Sequence, residues 1–332
     1  MKRILVTGGA GYIGSHTCKA LAQAGYTPVV FDNLSTGNAW AVKWGPLVRG
    51  ELADRRLLRD ALRRYQIDAV IHFAASAYVG ESMENPYKYL QGNAMGSLEL
   101  LEAMKEVGID NIVFSSTCAT YGTPQKLPIS ESEPQRPVNP YGDSKLYIEQ
   151  ALKWYGLAHD FGWVALRYFN ASGADKDGEI GECHDPETHL IPLVIQAAQD
   201  IGPPITIMGT DYPTPDGTAV RDYIHVEDLA QAHIRALDYL ERGGESIAMN
   251  LGMGKGYSVR EVIAAVQRAG GRPVPVLEAD RRAGDPASLV ADTRLAQKTL
   301  GWKARYTNLD DVVRTAWAWH ASRVLVATGV GR

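Results

Sequence analysis

The chain of 332 residues is 45% hydrophobic and 22% charged, with a formal net charge of −4, which is typical of a globular protein with a sizeable core in one or two domains. It has no basic tract for nucleic acid or an anionic membrane, and no apolar run close to the roughly 20 residues of a membrane helix. The scattered Cys18, Cys118 and Cys183 favour neither a disulfide framework nor a thiolate zinc site, so we expect no metal. The N-terminus is too glycine-rich for a signal peptide, so we expect a cytoplasmic protein.

Short apolar strands alternate with helices over the first half of the chain. This alternation predicts right-handed βαβ units and a parallel sheet, and the near-continuous apolar strands predict that helices cover both of its faces. We therefore expect an α/β fold with a Rossmann-type doubly wound parallel sheet. The predicted strands span residues 4–6, 29–31, 69–73, 111–114 and 163–169, and the predicted helices span residues 13–24, 55–65, 98–107 and 141–159.

Beyond Asn170, glycine and proline become frequent, which indicates a smaller and more irregular second region. The pattern predicts a Rossmann domain over residues 1–169 and a smaller α/β domain, mainly for substrate binding, over residues 170–332. We expect the chain to cross back to the first domain at about residues 225–255. In this second half, helices are predicted at 189–199, 226–242, 258–269 and 309–322, with Ser258 as the N-cap of the third.

A glycine-rich turn follows the first strand. Gly8, Gly11 and Gly14 fit Gly-x-x-Gly-x-x-Gly, and Gly9, Gly11 and Gly14 also fit Gly-x-Gly-x-x-Gly. Glycine at these positions allows a tight turn, close backbone approach to a pyrophosphate and close packing of helix on strand. Three glycines alone would equally suit a structural turn, but here a strand precedes them and a helix follows, so the turn predicts a dinucleotide site.

Asp32 ends the second strand and indicates which dinucleotide binds. A carboxylate at this point accepts hydrogen bonds from both ribose hydroxyls and repels a 2′-phosphate. The following residues, Asn33-Leu-Ser-Thr-Gly37, include no arginine or lysine that would bind such a phosphate. NAD is therefore favoured over NADP.

Tyr141 and Lys145 lie four residues apart on a predicted helix, so both side chains can reach the same space. The tyrosine would move a proton while the dinucleotide moves a hydride. A free phenol has a pKa of about 10, and we expect the nearby ammonium to lower it. An isolated pair of this kind is usually a solvated lysine beside a half-buried tyrosine, but the glycine turn and Asp32 favour a catalytic pair.

A run of hydroxyl side chains, Ser115-Ser-Thr117, lies at the carboxyl end of the fourth predicted strand. Ligands of a doubly wound sheet bind beyond these strand ends, so Thr117 can donate to a substrate oxygen or relay a proton. Cys118 follows directly and is interpreted as a packing residue, because no local charge cluster indicates a reactive thiolate.

Together these residues resemble the extended short-chain dehydrogenase/reductase family and, within it, the UDP-glucose 4-epimerases. The resemblance covers nearly the whole chain, and its segments are specific in combination. They are Thr7-Gly-Gly-Ala-Gly-Tyr-Ile-Gly-Ser-His16, Asp32-Asn-Leu34, Val70-Ile-His-Phe-Ala-Ala75, Val79-Gly-Glu-Ser82, Leu166-Arg-Tyr-Phe-Asn170, Asp211-Tyr-Pro-Thr-Pro-Asp-Gly-Thr218 and Val220-Arg-Asp-Tyr-Ile-His-Val226.

The resemblance implies reversible NAD-dependent 4-epimerisation of UDP-glucose and UDP-galactose through a transient 4-keto sugar and bound NADH. Tyr141 would take the proton of the sugar 4-hydroxyl while C4 gives its hydride to NAD. The keto sugar would then rotate about its phosphate linkage and receive the hydride on its other face. The resemblance also implies a homodimer built from the helices near residues 98–107 and 143–159.

The resemblance further implies a role for individual residues. Tyr141, Lys145 and Thr117 would be catalytic. The NAD site would comprise Gly8, Gly11, Tyr12, Ile13, Gly14, Asp32, Asn33, Leu34, Ser35, Thr36, Gly37, Glu51, Leu52, Phe73, Ala74, Ala75, Asn93, Ser115, Tyr141, Lys145 and Phe169. The UDP-sugar site would comprise Thr117, Tyr141, Asn170, His189, Leu190, Met208, Arg221, Arg282, Asp285 and Leu289, with Arg221 and Arg282 holding the diphosphate.

Several positions depart from the pattern of the family. Thr117 replaces a serine and keeps its hydroxyl, Glu51 replaces an aspartate, and Ala77 replaces a lysine that lies near the pyrophosphate in some relatives. Leu289 occupies the position associated with tolerance of N-acetyl sugars. Because leucine leaves less room there than cysteine or serine, we expect a preference for unacetylated sugars.

Three other functions have to be weighed against this interpretation. A dehydratase needs an acid and a base beside the threonine, and Cys118 and Ala119 cannot serve. A UDP-pentose 4-epimerase, acting on UDP-xylose or UDP-arabinose, shares the chemistry and stays open. A non-catalytic nucleotide-binding protein on the same fold is disfavoured by the intact Tyr141, Lys145 and Thr117.

Overall fold

The structure, a computed structural model, describes residues 1–282 and 284–328, with side chains up to residue 323. Strands in this part of the chain form one large sheet and two smaller ones. The strands are β1 (Arg3–Thr7), β2 (Thr27–Asp32), β3 (Leu47–Arg49), β4 (Ala69–His72), β5 (Asn111–Thr117), β6 (Gly162–Tyr168), β7 (Asn170–Ser172), β8 (Ile205–Met208), β9 (Val220–His225), β10 (Ile247–Leu251), β11 (Gly256–Ser258), β12 (Val276–Ala279) and β13 (Ser288–Leu289).

Helices cover the sheets, and none of those described is long and apolar enough to cross a membrane. The helices are α1 (Tyr12–Gln23), α2 (Arg55–Arg64), α3 (Val79–Glu84), α4 (Pro86–Tyr89), α5 (Gly96–Val107), α6 (Pro140–His159), α7 (Leu190–Ala198), α8 (Val226–Glu241), α9 (Val259–Gly270), α10 (Arg294–Leu300) and α11 (Leu309–Thr328). A π-helical segment, Leu90–Met95, joins α4 to α5, and a 3₁₀ turn, Cys118–Tyr121, follows β5.

The large sheet has seven parallel strands in the order β10-β6-β5-β4-β1-β2-β3. One core packs α1 and α8 against one face, and a second core packs α2, α5 and α6 against the other. The predicted Rossmann-type doubly wound sheet is therefore confirmed. The strand order reverses beside β1, so a crevice opens at the carboxyl ends of β1 and β4.

The seventh strand enters this sheet from the second half of the chain. Strand β10 pairs in parallel with β6, and helix α8 packs on α1. Met249 and Leu251 face one core while Ala248 packs against the other. The segment has only five residues, and its place in the sheet depends on pairing with the distant β6, which explains why no strand was predicted there.

The remaining elements form a smaller unit beside the carboxyl ends of the large sheet. Strands β7, β11 and β13 all pair with β9, while β8 pairs with β12. A third core packs α7, α9 and α11 together. The predicted N-cap of α9 is confirmed, since Ser258 Oγ accepts from Glu261 N at 3.1 Å and Glu261 Oε2 accepts from Ser258 N at 2.7 Å. Helix α11 runs six residues beyond its predicted end, because no glycine or proline interrupts the sequence before Gly329.

Four histidines are buried within these cores, and burial lowers the pKa of each imidazole. The pKa is about 4 for His16 and His233 and about 3 for His72 and His225. In the unfolded chain the same imidazoles protonate at about pH 6.5. The unfolded state therefore binds more protons below that pH, and the folded state loses stability as the pH falls through about 6.5.

We expect the free energy of unfolding to fall by about 1–2 kcal/mol per buried histidine between pH 7 and pH 5. Urea unfolding at the two pH values measures the difference. His233→Gln should remove one such contribution, whereas His159→Gln, at an exposed position at the end of α6, should leave the difference unchanged. An equal pH dependence of stability in His233→Gln and in the unaltered protein would contradict the expectation.

Candidate active site

The glycine turn lies where β1 meets α1, and two of its glycines have no room for a side chain. A Cβ on Gly8 would lie 2.6 Å from Ala74 N, and one on Gly14 would lie 2.2 Å from Gly8 O. Gly8 also has a left-handed φ of 71°. No side chain caps the N-terminus of α1 at Gly11, so its first turn offers free N–H groups and a favourable dipole to an anion.

Asp32 lies at the carboxyl end of β2, beside this turn. Its carboxylate accepts from Ala10 N at 3.0 Å and from Leu34 N at 2.8 Å, and burial raises its pKa. The loop of residues 33–37 folds over it, and Asn33 Nδ2 donates to Glu51 Oε2 at 2.9 Å. The structure thus brings together most of the first group of predicted NAD residues: Tyr12, Ile13, Asn33, Leu34, Ser35, Thr36, Gly37, Glu51 and Leu52.

Tyr141 and Lys145 lie in the first turns of α6, which starts at an N-cap, Asn139, that accepts from Gly142 N at 2.8 Å. The helix packs on the carboxyl end of β5. There the Thr117 hydroxyl lies close enough to the Tyr141 phenol to lower its pKa. Lys145 is buried, and its Nζ donates to Ser115 O at 2.8 Å. The predicted catalytic residues therefore meet at one strand end.

The pKa values of this pair differ from the sequence expectation. Burial raises the pKa of Tyr141 to about 12, and the nearby Thr117 hydroxyl offsets this effect only in part. Burial also lowers the pKa of Lys145 to about 7. The expected lowering of the phenol's pKa by the ammonium is therefore wrong for the protein alone, because removal from water outweighs the attraction between the two groups.

The rest of the predicted NAD residues lie around this strand end. Phe73 and Ala74 follow β4, and both backbone N–H groups donate to Thr7 O. Asn93 is buried and uses its amide to hold Ser76 and Ser144. Ser115 Oγ bonds the Tyr168 hydroxyl. Ala75 is half-buried, and Phe169 is buried directly after β6.

A buried ion pair holds α6 on the sheet, and the sequence did not predict it. Glu149 accepts from Arg167 Nε at 2.9 Å and Nη2 at 2.5 Å, and from Ser116 Oγ at 2.5 Å. Both charged side chains are almost fully buried. Glu149 follows Lys145 by one helical turn, and Ser116 precedes Thr117, so the pair sets the position of the catalytic helix relative to β5.

The predicted UDP-sugar residues come together around Arg221 in β9. Arg221 Nη1 donates to Pro286 O at 2.9 Å, and Nη2 lies 3.6 Å from Asp285 Oδ1. Leu289 pairs with Arg221 in the strand register and packs against a small apolar cluster that includes Cys118 and Phe169. Arg282 is exposed to solvent, and the structure does not bring its side chain into this group.

The other predicted UDP-sugar residues come from three separate elements. Asn170 begins β7 and pairs with Tyr223, whereas Met208 ends β8. Leu190 begins α7, and its N-cap, His189, bonds Glu182. All four side chains are partly exposed.

The loop before α7 holds a second group that sequence reasoning missed. Glu182, His184, Glu187 and His189 bring their carboxylate and imidazole atoms within 4.8 Å of one another. The two carboxylates raise the pKa of His184 to about 10, against the effect of burial, and the two imidazoles lower that of Glu182 to about 2. The spacing Glu-x-His-x-x-Glu-x-His could have indicated the group.

Comparison with known proteins decides the family. Residues 4–252 match the model of the NAD dependent epimerase/dehydratase family, which is more than half of the chain. The chain belongs to this family. It is similar to a UDP-glucose 4-epimerase of Rhizobium meliloti (strain 1021), with 53% identity over 96% of this chain and 97% of that protein.

Two solved structures of relatives resemble the fold closely. The UDP-glucose 4-epimerase from Brucella ovis in complex with NAD has a TM-score of 0.94 and 53% identity, covering 96% of this chain and 98% of that one. The UDP-glucose-4-epimerase from Stenotrophomonas maltophila, with bound NAD and formylated UDP-arabinopyranose, has a TM-score of 0.95 and 40% identity, covering 98% and 100%.

The residues of this family member fit NAD. The uncapped N-terminus of α1 suits the pyrophosphate, and the glycines beside it leave the backbone open to close approach. The Asp32 carboxylate lies where the adenosine ribose would bind, with no cation in the loop of residues 33–37 to attract a 2′-phosphate.

We expect Glu149→Ala to lower the free energy of unfolding by about 3–5 kcal/mol, because it leaves the buried Arg167 charge without a partner. Glu278→Ala, which breaks a surface pair with Arg260, should cost less than about 1 kcal/mol. Equilibrium unfolding in urea measures both. Similar losses for the two variants would contradict the role given to the buried pair.

Proposed function

We propose that the protein catalyses the reversible NAD-dependent 4-epimerisation of UDP-glucose and UDP-galactose through a transient 4-keto sugar. One observation carries the proposal: the Tyr141 phenol meets the Thr117 hydroxyl at the carboxyl end of β5, above the buried Lys145. The glycine turn and Asp32 lie at the same edge of the sheet. Members of this family at about half identity carry the epimerase name.

Tyr141 acts as the base and then the acid at the sugar 4-hydroxyl. NAD, when bound, supplies the group that takes up the hydride and returns it, along with a positive charge that favours the phenolate. Thr117 donates to the same sugar oxygen and holds it beside the phenol. Because the proton returns to the sugar at the end of the cycle, the tyrosine needs no exchange with solvent.

Lys145 has a positioning and electrostatic role beneath the phenol. Its Nζ donates one hydrogen bond to Ser115 O, which fixes the ammonium in a buried site. An ammonium has three N–H donors, so two are left for a ligand. These donors suit the hydroxyls of the nicotinamide ribose. Burial lowers the pKa of Lys145 to about 7, and an anion bound beside it would favour the charged ammonium.

Rotation of the keto sugar requires that the nucleotide be held while the sugar is free. Arg221 is preorganised by its bonds to Val220 O and Pro286 O and keeps Nη2 toward Asp285. A guanidinium in this position suits a diphosphate. Arg282 is exposed on the adjacent loop and would reach the diphosphate only by moving toward it.

We expect Tyr141→Phe to lower kcat by about 10²–10⁴-fold, because the phenol is the proton-transfer group. Interconversion of UDP-glucose and UDP-galactose by purified protein measures the effect. Tyr155→Phe, on the same helix but bonded to Glu102, serves as the matched control and should retain its activity. Unchanged epimerisation in Tyr141→Phe would overturn the catalytic assignment.

The UDP-pentose 4-epimerase is the second candidate, and one relative was solved with formylated UDP-arabinopyranose. The two functions differ only in the pocket around C6 of the sugar. Incubating the purified protein with UDP-glucose, UDP-galactose, UDP-xylose and UDP-arabinose, without added NAD, separates them. Faster turnover of the hexoses supports the proposal, and turnover without added cofactor supports retained NAD.

Leu289 limits the room beside the reacting sugar. Its side chain packs against an apolar cluster that includes Cys118, the neighbour of Thr117, and Phe169. We expect low activity on UDP-N-acetylglucosamine, and a gain of about 10-fold or more in kcat/KM for that sugar in Leu289→Ser. Leu277→Ser, on the exposed strand β12, is the control. Equal turnover of UDP-glucose and UDP-N-acetylglucosamine by the unaltered protein would contradict this.

We propose that the protein is a homodimer joined through α5, α6 and the π-helical segment before α5. These elements expose apolar side chains, among them Leu90 at 44%, Tyr147 at 47% and Trp154 at 69%. A groove of about 690 Å³ runs between the π-helical segment and α6. Exposed apolar side chains that lie together usually mark an interface.

We expect Leu90→Asp to give a monomer in sedimentation equilibrium, because it places a charge in this apolar interface. Ile201→Asp changes an apolar residue exposed at 56% away from these helices and should leave the dimer intact. A monomeric unaltered protein would overturn the proposal.

No nucleic acid or membrane partner is proposed, and a cytoplasmic location agrees with the free thiols of its cysteines.

A further inference from the structure

The loop between β7 and α7 gathers two histidines and two glutamates outside the catalytic residues. Glu182 is buried, and His184, Glu187 and His189 are partly buried around it. All four come from a segment of eight residues, Glu182–His189. Such a cluster combines imidazole nitrogen and carboxylate oxygen, the donor types that bind borderline divalent metals.

The distances among the donor atoms suit a tetrahedral ion. His184 Nδ1 lies 3.3 Å from Glu182 Oε1 and 3.6 Å from Glu187 Oε2, and His189 Nδ1 lies 3.7 Å from Glu187 Oε1. Tetrahedral bonds of about 2.0–2.1 Å place neighbouring donors about 3.3 Å apart. His189 Nδ1 and Glu182 Oε1 are in direct contact and would separate slightly around an ion.

His184 provides a second, independent observation. Its Nδ1 atom is buried and makes no hydrogen bond within the described part of the chain, although two carboxylates lie nearby. Buried polar nitrogens are rarely left without a partner. The contacts have the separation of neighbouring metal ligands but not the angles of hydrogen bonds.

We propose that Glu182, His184, Glu187 and His189 bind one Zn²⁺ ion through Glu182 Oε1, His184 Nδ1, a Glu187 carboxylate oxygen and His189 Nδ1. Four protein ligands leave no open position, so the site is structural. The ion would tie both ends of the loop together at the start of α7, close to Tyr12 and Tyr78, whose rings meet His184 edge-on. The sequence analysis expected no metal because of the spacing of the cysteines. That spacing bears only on thiolate sites and not on a site made of histidines and glutamates.

A second cluster of carboxylates has no room for an ion. Asp175, Asp177 and Glu179 also bring their carboxylates together, but Lys19 Nζ lies among them and donates to Asp175 at 2.8 Å and to Asp177 at 2.9 Å. The ammonium occupies the space between the carboxylates, so this second cluster has no room for an ion. Asp177→Asn in this cluster is therefore a matched control.

The test uses the full-length protein, stripped with a chelator and then titrated with Zn²⁺ against a chromogenic competitor. We expect one zinc ion per chain. His184→Asn and Glu187→Gln should each lose more than roughly 100-fold in affinity, since even the partners of metal ligands contribute 10–100-fold. Asp177→Asn should bind as the unaltered protein does. Zinc should also raise the Tm of the unaltered protein and of Asp177→Asn, but not that of the two ligand variants.

A measurement on the unaltered protein keeps the proposal testable if a variant fails to fold. Loading with Co²⁺ should give the intense visible absorption of a tetrahedral site. Absence of stoichiometric zinc binding, a weak octahedral cobalt spectrum, or equal zinc affinity in folded His184→Asn, Glu187→Gln and Asp177→Asn would each overturn the proposal. In those cases the cluster is an ion-pair network alone. None of these readouts depends on epimerase activity.

Discussion

The attachment of α6 to the carboxyl end of β5 is the constraint on which the rest of the site depends. The helix carries the phenol and the amine, and the strand carries the hydroxyl and the carbonyl that meet them. Two kinds of contact fix their relative position: the hydrogen bond from Lys145 to Ser115 O, and the buried pair of Glu149 with Arg167. Because all these groups are shielded from water, they hold one geometry with little freedom to shift.

The same burial determines the chemistry. Removal from water raises the pKa of Tyr141 and lowers that of Lys145 to about 7, so the protein alone keeps the phenol neutral and weakens the preference of the amine for its charged form. A positive charge bound beside Tyr141 would lower the pKa of its phenol and favour the phenolate. The phenolate, which is the form that accepts a proton, would therefore be most populated with the oxidised cofactor bound, the form that would accept a hydride. Proton and hydride transfer are coupled through a charge that the protein does not itself carry.

Much of the fold could be predicted because its signals are local. Apolar strands, the Gly8 to Gly14 turn and the Ser258 cap each need only a few neighbouring residues, and all three are found as expected. Strand β10 was not predicted, since its place in the large sheet depends on pairing with β6, some eighty residues earlier in the chain. The Glu149–Arg167 pair was not predicted for the same reason. No residue near Glu149 or Arg167 in the sequence indicates its partner.

The sequence by itself determined the type of fold, the dinucleotide turn with Asp32, and the Tyr141, Lys145 and Thr117 set, because each rests on residue type at short spacing. Tertiary structure decided how these residues are charged, which arginine is held at the proposed diphosphate site, and that Glu182 and His189 close a loop. Arg221 is fixed by a turn from a distant segment, whereas Arg282 is left in solvent. The pKa of a group depends on how much water surrounds it, and water is excluded only when distant parts of the chain pack together.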